Sequence, residues 1–261
     1  MPFLSVVKIE LLKLYHKRTT LLLLLLFLVP ALFGVGMAAG LSFFVSDGSD
    51  GGVDAVANSL SGMGFTVDML GQSKYILFLV VIILAAISFS GELENGQMKS
   101  AVTRICSRIK ILTAKYTALL IVVSMTLLLF VFWSLLLYVL LVIRTSYASG
   151  QIFDRQLLSQ IEYLLFQWFA VAVMIGFTFL TGAKLKTFPC FAISYIVWFA
   201  SLYSDFMENI RLMFPNNMPD FVLKNTTDIT FALFYAAVYM GYCLVLSLLT
   251  AVLFRRMDIK N

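Results

Sequence analysis

The chain has 261 residues, 61% of them hydrophobic and 13% charged, with a mean hydropathy of +0.95. An average soluble domain is about 45–50% apolar and about 25% charged, and one core could not hide this much apolar surface from water. An ordinary water-soluble enzyme is therefore excluded. The 19 Lys and Arg against 14 Asp and Glu leave a net charge of +5. In a soluble protein that balance would suggest nucleic acid, but here the placement of the charges decides, and nucleic acid is not implied.

Residues 1–18 are predicted to form an amphipathic helix lying in the membrane interface. Leu4, Val7, Leu11 and Leu14 recur on one face, and Glu10, Lys13 and Lys17 fall on others. Long intervals without Asp, Glu, Lys or Arg follow. A helix needs roughly 20 apolar residues to cross the hydrocarbon core. Transmembrane spans are accordingly predicted at about 19–45, 74–90, 115–143, 162–183, 187–204 and 229–254. The runs are continuous and not alternating, so the fold class is an all-α integral membrane protein with six transmembrane helices. The first run is too long for a signal-peptide core and continues through Pro30, a candidate kink, to Gly36-x-x-x-Gly40, a candidate close helix contact at a dimer interface.

The first outer loop opens on a Ser/Asp/Gly-rich turn, and residues 54–70 are expected to form a short surface helix, with Asp47, Asp50, Asp54 and Asp68 on an acidic face. The next connection, residues 91–115, is the most informative. Met98, Ala101, Val102, Ile105, Ile109 and Leu112 recur at helical spacing, and Lys99, Arg104, Arg108, Lys110 and Lys115 make it strongly basic. Such a polar helix held against the ends of two spans can dock on another protein. Before the last span, residues 205–228 combine the turn Pro215-Asn216-Asn217-Met218-Pro219 with apolar flanks, which predicts a re-entrant hairpin on the outer side.

Fourteen of the nineteen Lys and Arg fall on one side of this arrangement, with only four of the fourteen acids. The positive-inside rule then places both termini in the cytoplasm. Cys106, Cys190 and Cys243 form no outer pair, so no disulfide framework is expected. His16 is the single histidine, which leaves neither a metal site nor a Ser-His or Cys-His nucleophile. No span carries a titratable group at its middle, as a proton relay would require. With no phosphate-binding Gly-Lys loop either, the energy for any uphill transport must come from elsewhere, and a partner ATPase is the economical source.

The stretch Gly91-Glu92-Leu93-Glu94-Asn95-Gly96-Gln97-Met98-Lys99, followed by Ser107-Arg108 and Lys115, resembles the cytoplasmic loop of type-2 ATP-binding-cassette (ABC) permeases. That family's pattern is an acidic residue, a Gly four positions on, a Ser-Arg pair, and a Lys seven beyond the Arg. Glu92, Gly96, Ser107, Arg108 and Lys115 occupy those places, and Cys106 stands where the family often has Pro. The basic N-terminal segment resembles the family's elbow helix. The resemblance implies a single permease domain over residues 1–261, the half of a transporter that pairs with an identical or paralogous half. A cytoplasmic ABC ATPase that binds the ATP and Mg would sit beneath it, and this chain would bind no cofactor. Glu92, Glu94, Gly96, Lys99, Arg104, Ser107, Arg108 and Lys115 would form or flank a coupling helix seated on that ATPase. Small bacterial members of the family look like exporters of antimicrobial or cytolytic peptides, including lantibiotic-immunity and phenol-soluble-modulin types. That implies a plasma-membrane peptide exporter, with Trp133, Tyr195, Trp198 and Tyr203 as candidate substrate-pathway residues. Transport of ions, drugs or lipids, or a scaffold or sensor role without transport, stays open as an alternative.

Overall fold

The structure, a computed structural model, describes residues 2–40, 60–98, 107–203, 211–224 and 229–256. Helix α1 (Phe3–His16) precedes a 3-10 stretch (Arg18–Leu24) that runs into α2 (Leu25–Ala38). Helix α3 (Gly62–Ala86) passes through a π turn (Ile87–Gly91) into the single helical turn Glu92–Glu94. Helix α4 (Arg108–Leu137) likewise ends in a π turn (Tyr138–Val142). Then come α5 (Leu157–Gly182), α6 (Thr187–Leu202), the 3-10 turn Arg211–Met213, α7 (Met218–Lys224) and α8 (Ile229–Arg256). Among the described residues there is no β-strand, and the chain is an all-α integral membrane protein.

Among the described residues five helices are long and apolar enough to cross a membrane: Arg18–Ala38, Gly62–Glu94, Arg108–Val142, Leu157–Gly182 and Ile229–Arg255. The sixth apolar helix, α6, has 16 residues, about 24 Å at roughly 1.5 Å per residue, against a hydrocarbon core of about 30 Å. In a bilayer every backbone amide must be bonded internally, and helices do this within one segment. The long apolar runs therefore fold as they do.

Several boundaries differ from the sequence expectation, because charge-free intervals stop at the first charge whereas helices do not. Helix α3 starts at Gly62, capped by Ser61, whose hydroxyl accepts from the Gly64 amide at 3.1 Å. The second half of the expected surface helix thus belongs to a long helix, and Asp68 and Lys74 lie within it. Helices α4 and α5 also begin earlier than expected, at Arg108 and Leu157. The spans are therefore not free of titratable groups from end to end. The outer-loop stretch 41–59, with Asp47, Asp50 and Asp54, lies outside the described residues.

Pro30 is buried within α2, which runs through it as a continuous helix; the irregular stretch is the 3-10 segment before it. Gly36 is buried within the chain, while Gly40 takes the left-handed conformation (φ 75°) that closes the helix. The two glycines thus serve different local purposes. Helix α1 keeps Val7, Leu11 and Leu14 of its predicted face in contact with the core and departs from it at Leu4 and Glu10. Leu4 is 78% exposed, and Val6, Val7, Glu10 and Leu14 are the buried residues. Glu10, expected on a polar face, points into the protein.

The core runs along α3, the most enclosed helix, which packs against α2, α4, α5 and α6. We call the end where α1 meets the close of α3 and the start of α4 the charged end. At the opposite, far end, residues 60–63 pair with 147–152: the Gly62 and Met63 amides donate to the Gln151 and Ile152 carbonyls, each at 3.0 Å. Gly62 is needed there, since a Cβ would approach the Ile152 carbonyl oxygen to 3.1 Å. The Tyr138 hydroxyl, from the π turn of α4, reaches the Leu60 carbonyl at 3.0 Å and closes this knot.

Candidate functional site

At the charged end five ionised side chains from three segments converge. Lys115 of α4 has 1% of its side chain exposed, and its Nζ lies 2.7 Å from Glu10 Oε2 and 2.6 Å from Glu92 Oε2. Lys13 lies one turn after Glu10 on α1 and binds Glu10 Oε1 at 2.8 Å and Glu92 Oε2 at 3.6 Å. Lys17, just beyond α1, reaches Glu92 Oε1 at 3.5 Å. A buried charge is tolerated only when it is paired and hydrogen-bonded, and here each carboxylate is shared between lysines. The π turn before Glu92 adds a residue to the helix path, so residues beyond it face differently from those before. Val6 and Val7 of α1 pack on Ala114, beside Lys115, and bring Glu10 into register.

Three cations facing two carboxylates leave one positive charge in excess, and the two half-buried lysines feel it differently. Burial lowers the Lys13 pKa, but the Glu10 hydrogen bond and the Glu10 and Glu92 charges outweigh it and hold it above the ordinary lysine value. For Lys17 burial dominates, Glu92 offsets it only in part, Lys115 repels, and the pKa falls below the ordinary value.

Two further links join this end to other helices. The Glu94 carboxylate accepts from the Thr187 amide at 3.2 Å and the Thr187 hydroxyl at 2.9 Å. It therefore sits on the N-terminus of α6, where unpaired amides and the helix dipole favour an anion. Beside it, the Ser90 hydroxyl donates to the Leu185 carbonyl at 2.6 Å. On the other flank, Arg108 Nη1 donates to the Phe254 carbonyl at 3.1 Å and the Arg255 carbonyl at 3.4 Å, with its guanidinium 5.9 Å from the Phe254 ring centroid. A cation thus closes the C-terminus of α8, the complementary use of a helix end.

The sequence-predicted loop residues therefore divide. Glu92 and Lys115 meet in the buried network, Glu94 binds α6, and Arg108 binds α8. Gly96 takes φ 69°, a conformation that only Gly adopts freely, and ends the turn after Glu94. Ser107 is the residue before α4 and makes no side-chain cap. Lys99 and Arg104 lie outside the described residues. The reasoning from sequence missed Glu10, Lys13 and Lys17 as partners of Glu92 and Lys115. The available signal was Glu10 itself, a lone acid in a basic, apolar segment.

The aromatic candidates do not form one surface. Trp198 is fully buried, stacked on Phe78 of α3 at 4.8 Å and edge-on to Tyr75 at 5.8 Å, which makes it a core contact between α3 and α6. Tyr195 packs beside it at 5.4 Å, and Tyr203 is 60% exposed at the end of α6. Trp133 is on α4 and donates to the Phe27 carbonyl of α2 at 3.1 Å. A cavity of about 110 Å³ between α4, α5 and α8 is lined by Leu112, Tyr116, Gly176, Phe179 and Leu248 among others. Ligand pockets run to about 300–1,000 Å³, so this cavity is too small to enclose an amphipathic molecule.

Residues 6–201, most of the chain, match a family described as ABC-2 family transporter protein. No curated protein matches the chain. The match begins within α1 and ends within α6, so it takes in the buried network and the Glu94–Thr187 contact.

Proposed function

The chain belongs to the ABC-2 transporter family as a multi-pass membrane permease, and from that premise we propose that it is half of an ATP-driven exporter of amphipathic or antimicrobial and cytolytic peptides. A separate cytoplasmic ATPase supplies ATP and Mg chemistry, and a second permease half, identical or paralogous, completes the pathway in a bacterial plasma membrane. The charged end is cytoplasmic, and both termini lie on that side, in keeping with the charge distribution.

One observation supports this reading above the others. The residues flanking the basic loop 95–107 are tied inside the chain to α1, α6 and α8 at once. A force on that loop therefore reaches three helices together, which is what an ATPase-driven permease needs of its docking segment. We assign contact with the ATPase to Lys99 and Arg104, which lie outside the described residues, while Glu92, Glu94, Arg108 and Lys115 are bonded within the chain on either side of them.

Co-expression with an ABC ATPase from the same genome, followed by purification in detergent, tests the pairing. The wild-type chain retains the ATPase. Combined Lys99→Glu and Arg104→Glu substitution loses it without loss of folded permease. Stimulation of the complex's ATPase by a cationic amphipathic peptide, and not by simple ions or a neutral lipid, tests the substrate class. A wild-type chain that purifies without any ATPase overturns the reading.

A further inference from the structure

Helix α6 is bonded at both ends to parts of the chain that lie on opposite faces of the molecule. At the charged end Glu94 holds the Thr187 amide and hydroxyl, and Ser90 holds the Leu185 carbonyl. At the far end the Asn216 amide donates to the Ser201 hydroxyl, whose own proton goes to the Trp198 carbonyl at 2.6 Å. Asn216 lies two residues before the hairpin helix α7, and that hairpin is tied to two more helices. Asp220 pairs with Lys74 of α3 at 3.1 Å, and the Leu212 carbonyl accepts from the Tyr239 hydroxyl of α8 at 2.6 Å.

Between its ends α6 is an unbroken rod. Its single proline, Pro189, falls in the first turn, where the missing amide would have had no helical partner. Sideways movement is blocked on two sides. Trp198 is wedged against Phe78 of α3, and the α5 face is close-packed. A Cβ on Gly182 would meet Cys190 Sγ of α6 at 3.3 Å, and Thr181 bonds Ser194 at 3.1 Å. The freedom left to a packed helix in this position is a small axial slide or roll, the shear displacement by which helices move past one another.

We propose that α6 is a connecting rod that carries displacement of the turn at Glu94 to the far-end hairpin, with Glu94, Thr187, Ser201 and Asn216 as its positioning residues and Lys74–Asp220 as the latch that holds α7 on α3. The proposal rests on the permease reading, in which the loop after Glu94 is where force arrives. The latch suits release. Lys74 and Asp220 keep 18% and 41% of their side chains exposed, and a pair that wet adds little to stability. By contrast the buried network at the charged end is not built to open.

The test reads one end of the rod while the other end is changed. Val222 of α7 is fully buried, so a cysteine placed there by Val222→Cys reacts with a water-soluble maleimide only when the hairpin lifts. The full-length chain is used, in membrane vesicles of both orientations, with Cys106, Cys190 and Cys243 replaced by serine. Glu94→Gln weakens the hold on Thr187 with little change of shape at an exposed position, and should raise the labelling rate at position 222 about threefold to tenfold, the population shift expected from one lost hydrogen bond. Glu94→Asp should restore a rate near the parent, and Ser201→Ala, at the near end of the rod, should raise it as Glu94→Gln does. An unchanged rate in Glu94→Gln while Ser201→Ala raises it overturns the proposal, because the signal then does not travel along α6. An unchanged rate in both overturns it as well, because α6 then does not hold the hairpin. The labelling needs no ATPase, so failure of the chain to bind one would sink the functional reading and leave this result standing.

Discussion

The two ends of the molecule use opposite kinds of bonding. At the charged end Lys115 is sealed between two carboxylates with 1% of its side chain exposed. At the far end the Lys74–Asp220 pair is half wet, and the hairpin is held besides by hydrogen bonds to Ser201 and Tyr239 and by the packing of Met218 and Val222 against α5 and α8. Breaking one partner of a buried pair strands a charge in a medium that cannot solvate it, whereas an exposed pair exchanges its partner for water at little cost. The difference assigns the ends different mechanical characters. One moves as a block, and the other can come apart and re-form.

Lys115→Met should expose that contrast most strongly. It leaves Glu10 with Lys13 alone and Glu92 with only the longer contacts to Lys13 and Lys17, and should cost about 3–5 kcal/mol. Thermal unfolding of the purified chain in detergent measures it. Adding Glu10→Gln to Lys115→Met should recover part of the loss, because one stranded charge goes. A loss below about 1 kcal/mol in the single variant, the size seen for exposed pairs, would put the two ends in the same class and break the comparison.

Gly182→Val asks whether the block extends to the α5–α6 junction. The added carbons would press on Cys190, Phe89 and Ser90, each within 3.3 Å of the first of them. Overpacking of this kind costs about 1–3 kcal/mol, read by the same unfolding measurement. Lys74→Met sits at the other extreme. It should lower stability by less than about 1 kcal/mol, while raising maleimide reactivity in the Val222→Cys background. A large loss of stability from Lys74→Met would show that the far-end pair is structural and not a latch.

Much of this was visible in the sequence, and what was hidden has a physical cause. The positions of the long helices follow from intervals without charge, since only continuous apolar helices satisfy their backbone in lipid. The helices themselves run past the charge-free intervals, as α3 does through Asp68 and Lys74. The Glu92–Lys115 pair could be picked out by its motif, but not its third member. Glu10 lies 105 residues from Lys115, and only the folded docking of α1 on α4 brings them together. Glu94 and Arg108 read as charges available to a partner. Their use on the ends of α6 and α8 depends on helix termini that no local pattern places beside them. Trp198 read as a pathway residue because aromatic composition cannot distinguish a lining from a core.

The smallest effect expected lies in the lysines at the open edge of the network, and pH separates them by sign. Lys17 has a folded-state pKa below its unfolded value, so its charge opposes folding at neutral pH. That opposition fades as pH rises through the folded value, and stability rises there. Lys13 has a folded-state pKa above its unfolded value, so its contribution is complete below the unfolded value and is lost as pH rises through the folded one. Together they give a shallow stability maximum near the ordinary lysine pKa of about 10.4. Lys17→Met should remove the rising limb and Lys13→Met should remove its share of the falling limb, each by less than about 1 kcal/mol because both side chains are partly solvated. Unfolding curves between about pH 8 and pH 12, taken as variant minus parent so that other alkaline titrations cancel, resolve the two signs. A falling limb that is unchanged in Lys13→Met would mean that Lys13 is a bystander and that the Glu10–Lys115–Glu92 triad alone forms the block.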